Sequence, residues 1–412
     1  MTLGACATSG NVSTVPSAAP RVVTTAAKQR IDSTLRHFVD AKLVAGASAL
    51  VWEKGSEAHF NAVGYADREA QRPMSRDGIV QIFSMTKPVT GVALMTLWEQ
   101  GKFQLDDPVA RYAPELANLK VYAGKDANGA PILEAPRRAM TIRDLTRHTS
   151  GFAAGGGDPG VGPLYAAADP MNRRNTLAQF AQKLGTVPLM FHPGEKWSYG
   201  ISVDVQAFLV ERISGQRYED YVTEHVLAPL RMRETRYLIP ASDTNRLMKM
   251  YQLNDANVLN RVADAGALAF NTNRQALTPG GYGLTSTLDD YMRFARMLLN
   301  GGELDGVRVL KAETVRMMST NQLSETVTDR SFLPSKGQVG FGIDFAVRVR
   351  PPKDAAENNG VVGEFFWDGL ASTLFWVDPV NQVTAVLFTQ MLPFDRVKFH
   401  KSFRDAVYGP LR

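Results

Sequence analysis

The sequence predicts an α/β fold in which one sheet is assembled from both ends of the chain, with a mostly helical segment inserted between them. Three observations carry this expectation. Strand-like runs lie near the start, over residues 47–53 and 59–65, and again near the end, over residues 339–390. Helical patterns and irregular stretches rich in Pro and Gly dominate the middle. A run that is apolar on nearly every face, from Val89 to Trp98, follows the first strands, as a helix buried at the junction would.

Each element has a local reason. Ile31, Leu35, Phe38, Val39 and Leu43 recur at helical spacing and predict a helix over residues 27–43. The first two strands are joined by a turn at Lys54-Gly55-Ser56. The apolar helix that opens near Ser84 is stopped by Gly101. Helices are expected over residues 142–148, 177–184, 203–213 and 218–227, and the glycine-rich run 155–160 must be a loop. A helix over residues 288–299 has Thr287 as its N-cap and Gly301 just past its end. Strands follow over 339–349, 364–367, 372–377 and 383–390, the last two joined by Asp378-Pro379-Val380-Asn381, and a helix over 395–408 closes the chain. The expected division is a disordered leader over residues 1–26, an α/β domain from 27–105 and 274–412, and a mostly helical domain over 106–273. A cleft between sheet and insert places Ser84 at the junction.

Bulk properties exclude several classes. The chain has 412 residues, 44% of them hydrophobic, enough for a large core or two subdomains. The net charge of +5 is scattered, and clusters such as Arg137-Arg138 and Arg231-Met232-Arg233 lack the interleaved aromatics of a nucleic-acid surface. Cys6 is the only cysteine, so neither a disulfide nor a thiolate metal cluster is expected. His37, His59, His148, His192, His225 and His400 show no metal-ligand spacing, and no phosphate loop is present; no metal or cofactor is expected. No stretch has the length of a membrane span. Met1 to Ala7 resembles the end of a lipoprotein signal. The sequence leaves the location open: a periplasmic or lipid-anchored one is expected if signal residues upstream of Met1 are missing, and a cytoplasmic one otherwise.

The chemistry centres on Ser84-Met85-Thr86-Lys87. Residues at i and i+3 share a helix face, so the Lys87 amine reaches the Ser84 hydroxyl. Burial disfavours the charged form of a lysine, and a less charged amine can take the proton of an otherwise weak serine nucleophile. Pro88 is tolerated in the first turn, where its missing N–H has no partner to lose. Ser-x-x-Lys alone occurs by chance in chains of this length, so its meaning depends on later partners. The first is Tyr199, in Pro193-Gly194-Glu195-Lys196-Trp197-Ser198-Tyr199-Gly200. A cation beside a tyrosine favours the phenolate, which can serve as general base and then as general acid. The second is Trp367-Asp368-Gly369-Leu370 at the head of a strand. There glycine permits close approach of a substrate, and the next backbone N–H can hold an oxyanion together with that of Ser84. His148 is expected to cap or pack beside Thr149-Ser150-Gly151 rather than to act in catalysis.

As an ordered set these motifs resemble the class C β-lactamase and penicillin-binding-protein superfamily, most closely its family VIII carboxylesterases. Leu145 to Gly151 and Gly280 to Thr287 match as well, and the resemblance spans about residues 27–408. It implies a serine β-lactamase-like fold: an antiparallel sheet flanked by helices, plus an all-helical domain. It also implies Ser84 as acyl-accepting nucleophile, Lys87 and Tyr199 as the proton-handling pair, and the Ser84 and Leu370 amides as oxyanion donors. Trp367 and Gly369 would line the substrate site.

Two departures set the expected activity. The superfamily's lactamases and carboxypeptidases carry Lys-Thr-Gly or His-Thr-Gly where this chain has Trp367-Asp368-Gly369. Trp367 offers no cation for a substrate carboxylate, and Asp368 facing the cleft would repel one. Their Tyr-x-Asn becomes Tyr199-Gly200-Ile201, without the amide. Both departures favour a serine carboxylesterase for short-chain neutral esters. Weak cephalosporin hydrolysis is compatible with the shared acylation chemistry. The alternatives are a β-lactamase or D-amino-acid peptidase, an acyltransferase on the same fold, and a non-catalytic binding protein. No Gly-x-Ser-x-Gly of the α/β-hydrolases occurs.

Overall fold

The computed structural model describes residues 20–154 and 157–411. Cys6, most of the expected leader and Gly155-Gly156 of the glycine loop lie outside the described residues. Residues 20–26, also expected as leader, are part of the fold. Val23 is buried, Val22 N–H donates to Glu53, and helix α1 (Thr25–Asp40) is capped by the Thr24 hydroxyl.

The main sheet has eight strands, antiparallel throughout. They are β1 (Gly46–Glu53), β2 (Ser56–Asp67), β3 (Arg72–Pro73), β4 (Val339–Phe341), β5 (Ala346–Arg348), β6 (Phe365–Asp368), β7 (Leu374–Asp378) and β8 (Val383–Phe388). Their spatial order is β4-β5-β6-β7-β8-β1-β2-β3, so the strands from the two ends of the chain join where β8 pairs with β1. The central strands β7 and β8 are buried on both faces, because successive side chains point to opposite sides. Phe375 meets Tyr291 of α4 (Leu288–Leu299), ring centroids 5.0 Å apart, whereas Trp376 meets Phe403 of α5 (Phe399–Tyr408) at 5.4 Å.

One expectation is corrected in the sheet. The run 339–349 is two strands, because the chain reverses between them: Gly342 N–H donates to Phe345 O, and Asp344 takes a left-handed φ of 59°. The segment expected to be mostly helical also holds antiparallel hairpins. One joins Val121–Lys125 to Pro131–Glu134, and another joins Tyr251–Leu253 to Leu259–Arg261. The second is extended by a parallel pairing with Met391–Leu392, next to the main sheet.

The buried helix is α2 (Thr86–Glu99), with every residue from Thr86 to Leu97 buried. Its apolar circumference is covered on one side by α3 (Ser202–Ser214). Ser84 precedes it in a 3₁₀ turn, Phe83–Met85. That turn is fixed from three directions. Val80–Gln81 pairs with Thr285–Ser286, Ile82 N–H donates to Leu284 O, and the Tyr291 hydroxyl donates to Met85 O at 2.8 Å.

Candidate active site

Ser84 is held in an unusual backbone setting. Phe83 immediately before it has a φ of 45°, a left-handed conformation that a bulky residue adopts only when its surroundings over-determine it. Phe83 lines a cavity, and Ser84 faces a second one on the other side of Leu370.

Lys87, the second residue of α2, donates to the Ser84 hydroxyl oxygen at 3.2 Å and to Gly281 O at 2.7 Å. Its amine lies 4.5 Å from the centroid of the Tyr199 ring. Two buried carboxylates act on it electrostatically, Asp204 of α3 and Asp344 of the β4–β5 turn. Asp204 accepts from Gly281 N–H at 2.9 Å, and Gln206 donates to Asp344 at 3.1 Å. Burial pushes the Asp204 carboxyl up to about 6 despite the opposing pull of Lys87, and raises Asp344 well above the carboxylate range. Space is tight at Gly281: a Cβ there would come within 3.0 Å of the Asp204 carboxyl and 3.2 Å of the Lys87 amine, so a side chain would press on both.

Tyr199 stands in the loop before α3 within an aromatic box. His148, Trp367 and Phe332 have ring centroids 4.8, 5.3 and 5.5 Å from its own. Its hydroxyl oxygen accepts from the Trp367 indole N–H at 3.2 Å. His148 packs, as expected. It is fully buried, neither ring nitrogen has a partner among the described residues, and burial and the Lys87 charge together push its pKa well below the usual value. A neutral imidazole is therefore the wall behind Tyr199.

The two amides of the turn after β6 differ in their partners. Gly369 N–H is spent on Thr373 O at 2.9 Å, whereas Leu370 N–H meets no acceptor among the described residues. Gly369 has a steric role instead. A Cβ would meet Thr373 Oγ1 at 2.3 Å and Ile82 O at 2.5 Å, so only glycine lets this turn lie against the segment that carries Ser84.

Ser84, Tyr199, Trp367 and Leu370 line one cavity of about 340 Å³ with Phe332, Lys336, Asp368 and Phe394. The cavity beyond Leu370, about 300 Å³, is largely apolar, with Phe270, Tyr282, Leu284 and Leu392 in its wall beside the polar Gln81, Asn271 and Arg173. Among the residues expected at the site, Lys87 lies beneath Ser84 and Gly369 lies behind Leu370.

The sequence reading missed three charged groups. Asp204 had a signal, the one acid in the largely apolar run Val203 to Val210. Asp344 had none, because its segment read as an uninterrupted strand. Lys336 corrects the expectation of a cleft without a cation. It comes from the 3₁₀ turn Leu333–Lys336 and is ion-paired with Asp368, which therefore does not face the cleft as a bare negative charge.

An antiparallel sheet flanked by helices, with a serine and a tyrosine at one cavity and a lysine beneath the serine, defines a β-lactamase-fold serine hydrolase. Residues 31–407 match the Beta-lactamase family, and the chain belongs to it. It is 36% identical over 372 residues to Protein Rv1367c of Mycobacterium tuberculosis, covering 88% of this chain and 89% of that protein. It is 26% identical over 405 residues to Esterase EstB of Burkholderia gladioli, covering 92% and 95%. The solved structure of EstCE1, described as a hydrolase with promiscuous acyltransferase activity, superposes with a TM-score of 0.77 at 24% identity, covering 93% of this chain and 99% of that one.

Proposed function

We propose that this protein is a carboxylesterase that hydrolyses short-chain neutral esters through an acyl-enzyme at Ser84. The observation that carries the reading is the Lys87 amine, 3.2 Å from the Ser84 hydroxyl and 4.5 Å from the Tyr199 ring, at a cavity with largely aromatic and aliphatic walls. Ser84 Oγ attacks the ester carbonyl carbon as its proton passes to the Lys87–Tyr199 pair. The carbonyl electrons move onto oxygen, which the Ser84 and Leu370 amides stabilise. The tetrahedral species collapses, the carbon–oxygen bond to the alcohol breaks, and Tyr199 protonates the leaving oxygen. Water, deprotonated by the same pair, then releases the acid and restores Ser84.

The relationship to EstB supports ester substrates. The apolar cavity beyond Leu370 suits a short acyl chain, and the aromatic one at Tyr199 suits the alcohol portion. The test is p-nitrophenyl butyrate beside nitrocefin, with the wild type and Ser84→Ala. Fast ester turnover with slow nitrocefin turnover, both lost in the variant, is expected. Nitrocefin turned over faster than the ester would favour a β-lactamase, and ester turnover surviving in Ser84→Ala would remove Ser84 as nucleophile.

Transfer of the acyl group to an alcohol instead of water is a second reading, favoured by the description of EstCE1. Product analysis with a competing alcohol separates it: accumulation of the new ester over the free acid would place transfer first.

A further inference from the structure

The Lys336–Asp368 ion pair shares a cavity with Ser84 and Tyr199, and the hydrolytic cycle above makes no use of it. Asp368 ends β6 beside Trp367, and Lys336 arrives from a turn 32 residues earlier. Both side chains are nearly covered, 8% and 10% exposed. Three rings surround the ammonium: its nitrogen lies 4.9 Å from the centroid of Trp367, 4.8 Å from Phe394 and 5.7 Å from Phe332. The Trp367 indole that faces Lys336 is the one that donates to Tyr199. A cation thus stands one ring away from the proposed proton donor to the leaving group, already engaged by a carboxylate.

We propose that the Lys336–Asp368 pair sets the charge preference of the leaving-group side: Lys336 is an intrinsic carboxylate-binding cation that Asp368 keeps occupied. The inference rests on the reading of Tyr199 as donor to the leaving alcohol. A substrate carboxylate reaching this wall must displace Asp368 from the ammonium or lie beside it, and either is unfavourable in a partly desolvated site. A neutral alcohol portion meets neither obstacle. The aromatic cage keeps Lys336 in place whether or not Asp368 is charged, so removing the acid leaves a cation open to the cavity.

Phenyl acetate and 4-acetoxybenzoate test this directly, because they share the acyl group and differ by one carboxylate on the leaving group. The readout is the ratio of their kcat/KM values. The wild type is expected to favour phenyl acetate at least about tenfold. Asp368→Asn moves the ratio toward 4-acetoxybenzoate by about tenfold or more, chiefly through KM, and the gain shrinks as salt rises. Lys336→Gln moves it the opposite way, because Asp368 is then bare. Opposite shifts in the two variants are what a merely structural pair would not produce. Equal turnover of both esters by the wild type, or shifts of the same sign in both variants, overturns the inference and leaves the esterase reading standing. Failure to turn over either ester removes both. If one variant does not fold, the sign of the shift in the other and the wild-type ratio still test the inference, and equal turnover of both esters by the wild type overturns it.

Discussion

The indole N–H of Trp367 donates to the Tyr199 hydroxyl oxygen at 3.2 Å, joining the end of a sheet strand to a loop 168 residues away. The Lys87 amine lies 4.5 Å from the centroid of the same tyrosine ring. The tyrosine is therefore fixed by two groups, the Lys87 amine beside its ring and the Trp367 indole N–H on its oxygen. This gives Trp367 a part beyond lining the pocket, and it makes the site testable one group at a time.

Tyr199→Phe keeps the ring and its packing but removes the oxygen. A reduction of kcat by about 100-fold or more is expected for a general acid–base group. Steady-state kinetics on p-nitrophenyl butyrate check it, and a near-normal kcat would take Tyr199 out of the mechanism.

Trp367→Phe leaves an aromatic wall yet deletes the N–H. A fall in kcat of about tenfold is expected, the scale of one hydrogen bond to a group that carries charge during turnover. An unchanged kcat with altered KM would reduce Trp367 to a packing residue.

Asp204→Asn is expected to stabilise the protein at neutral pH. The Asp204 carboxyl sits near 6 in the folded protein, raised from an ordinary 3.8. Between those values the folded state keeps a proton that the unfolded chain has released, so this group's contribution to stability falls as pH rises through the window. The full deficit above pH 6 is on the order of 3 kcal/mol. Asparagine keeps an oxygen to accept Gly281 N–H without the buried charge. Thermal melts should show the variant above the wild type at pH 7.5 and the difference closing toward pH 4; a lower melting temperature for the variant at pH 7.5 would contradict this.

Gly369→Ala forces a Cβ against Ile82 O and Thr373 Oγ1. A stability loss of roughly 1–3 kcal/mol is expected from the overpacking. Displacement of the Leu370 amide should lower kcat by about 100-fold, the scale of one lost oxyanion donor. Wild-type turnover in a folded variant would remove Leu370 from that role.

Much of the fold was legible because it is written in short-range patterns. The helices expected over 177–184 and 288–299 are Leu177–Leu184 and Leu288–Leu299. Each has a threonine N-cap side chain and a clear apolar face. The helix from 203 and the strand pair at 372–390 were read from equally local signals. The reversal between β4 and β5 was not, because Gly342-Ile343-Asp344-Phe345 carries no Asn-Gly or Pro-Gly marker and its flanks are apolar on both sides. The Val121–Lys125 and Tyr251–Leu253 hairpins are too short and too polar to stand out from loops.

The sequence by itself determined the α/β class, the burial of α2 and the pairing of Ser84 with Lys87, because spacing of three residues on a helix brings two side chains together whatever surrounds them. Only the tertiary structure decided what those two residues meet. Gly281 lies 194 positions from Lys87, Trp367 lies 168 from Tyr199 and Asp368 lies 32 from Lys336. Contacts over such separations have no periodicity to betray them. They are set by which strands pair and how turns close, and that is why the charge of the cleft, read from Trp367 and Asp368 alone, needed Lys336 to be understood.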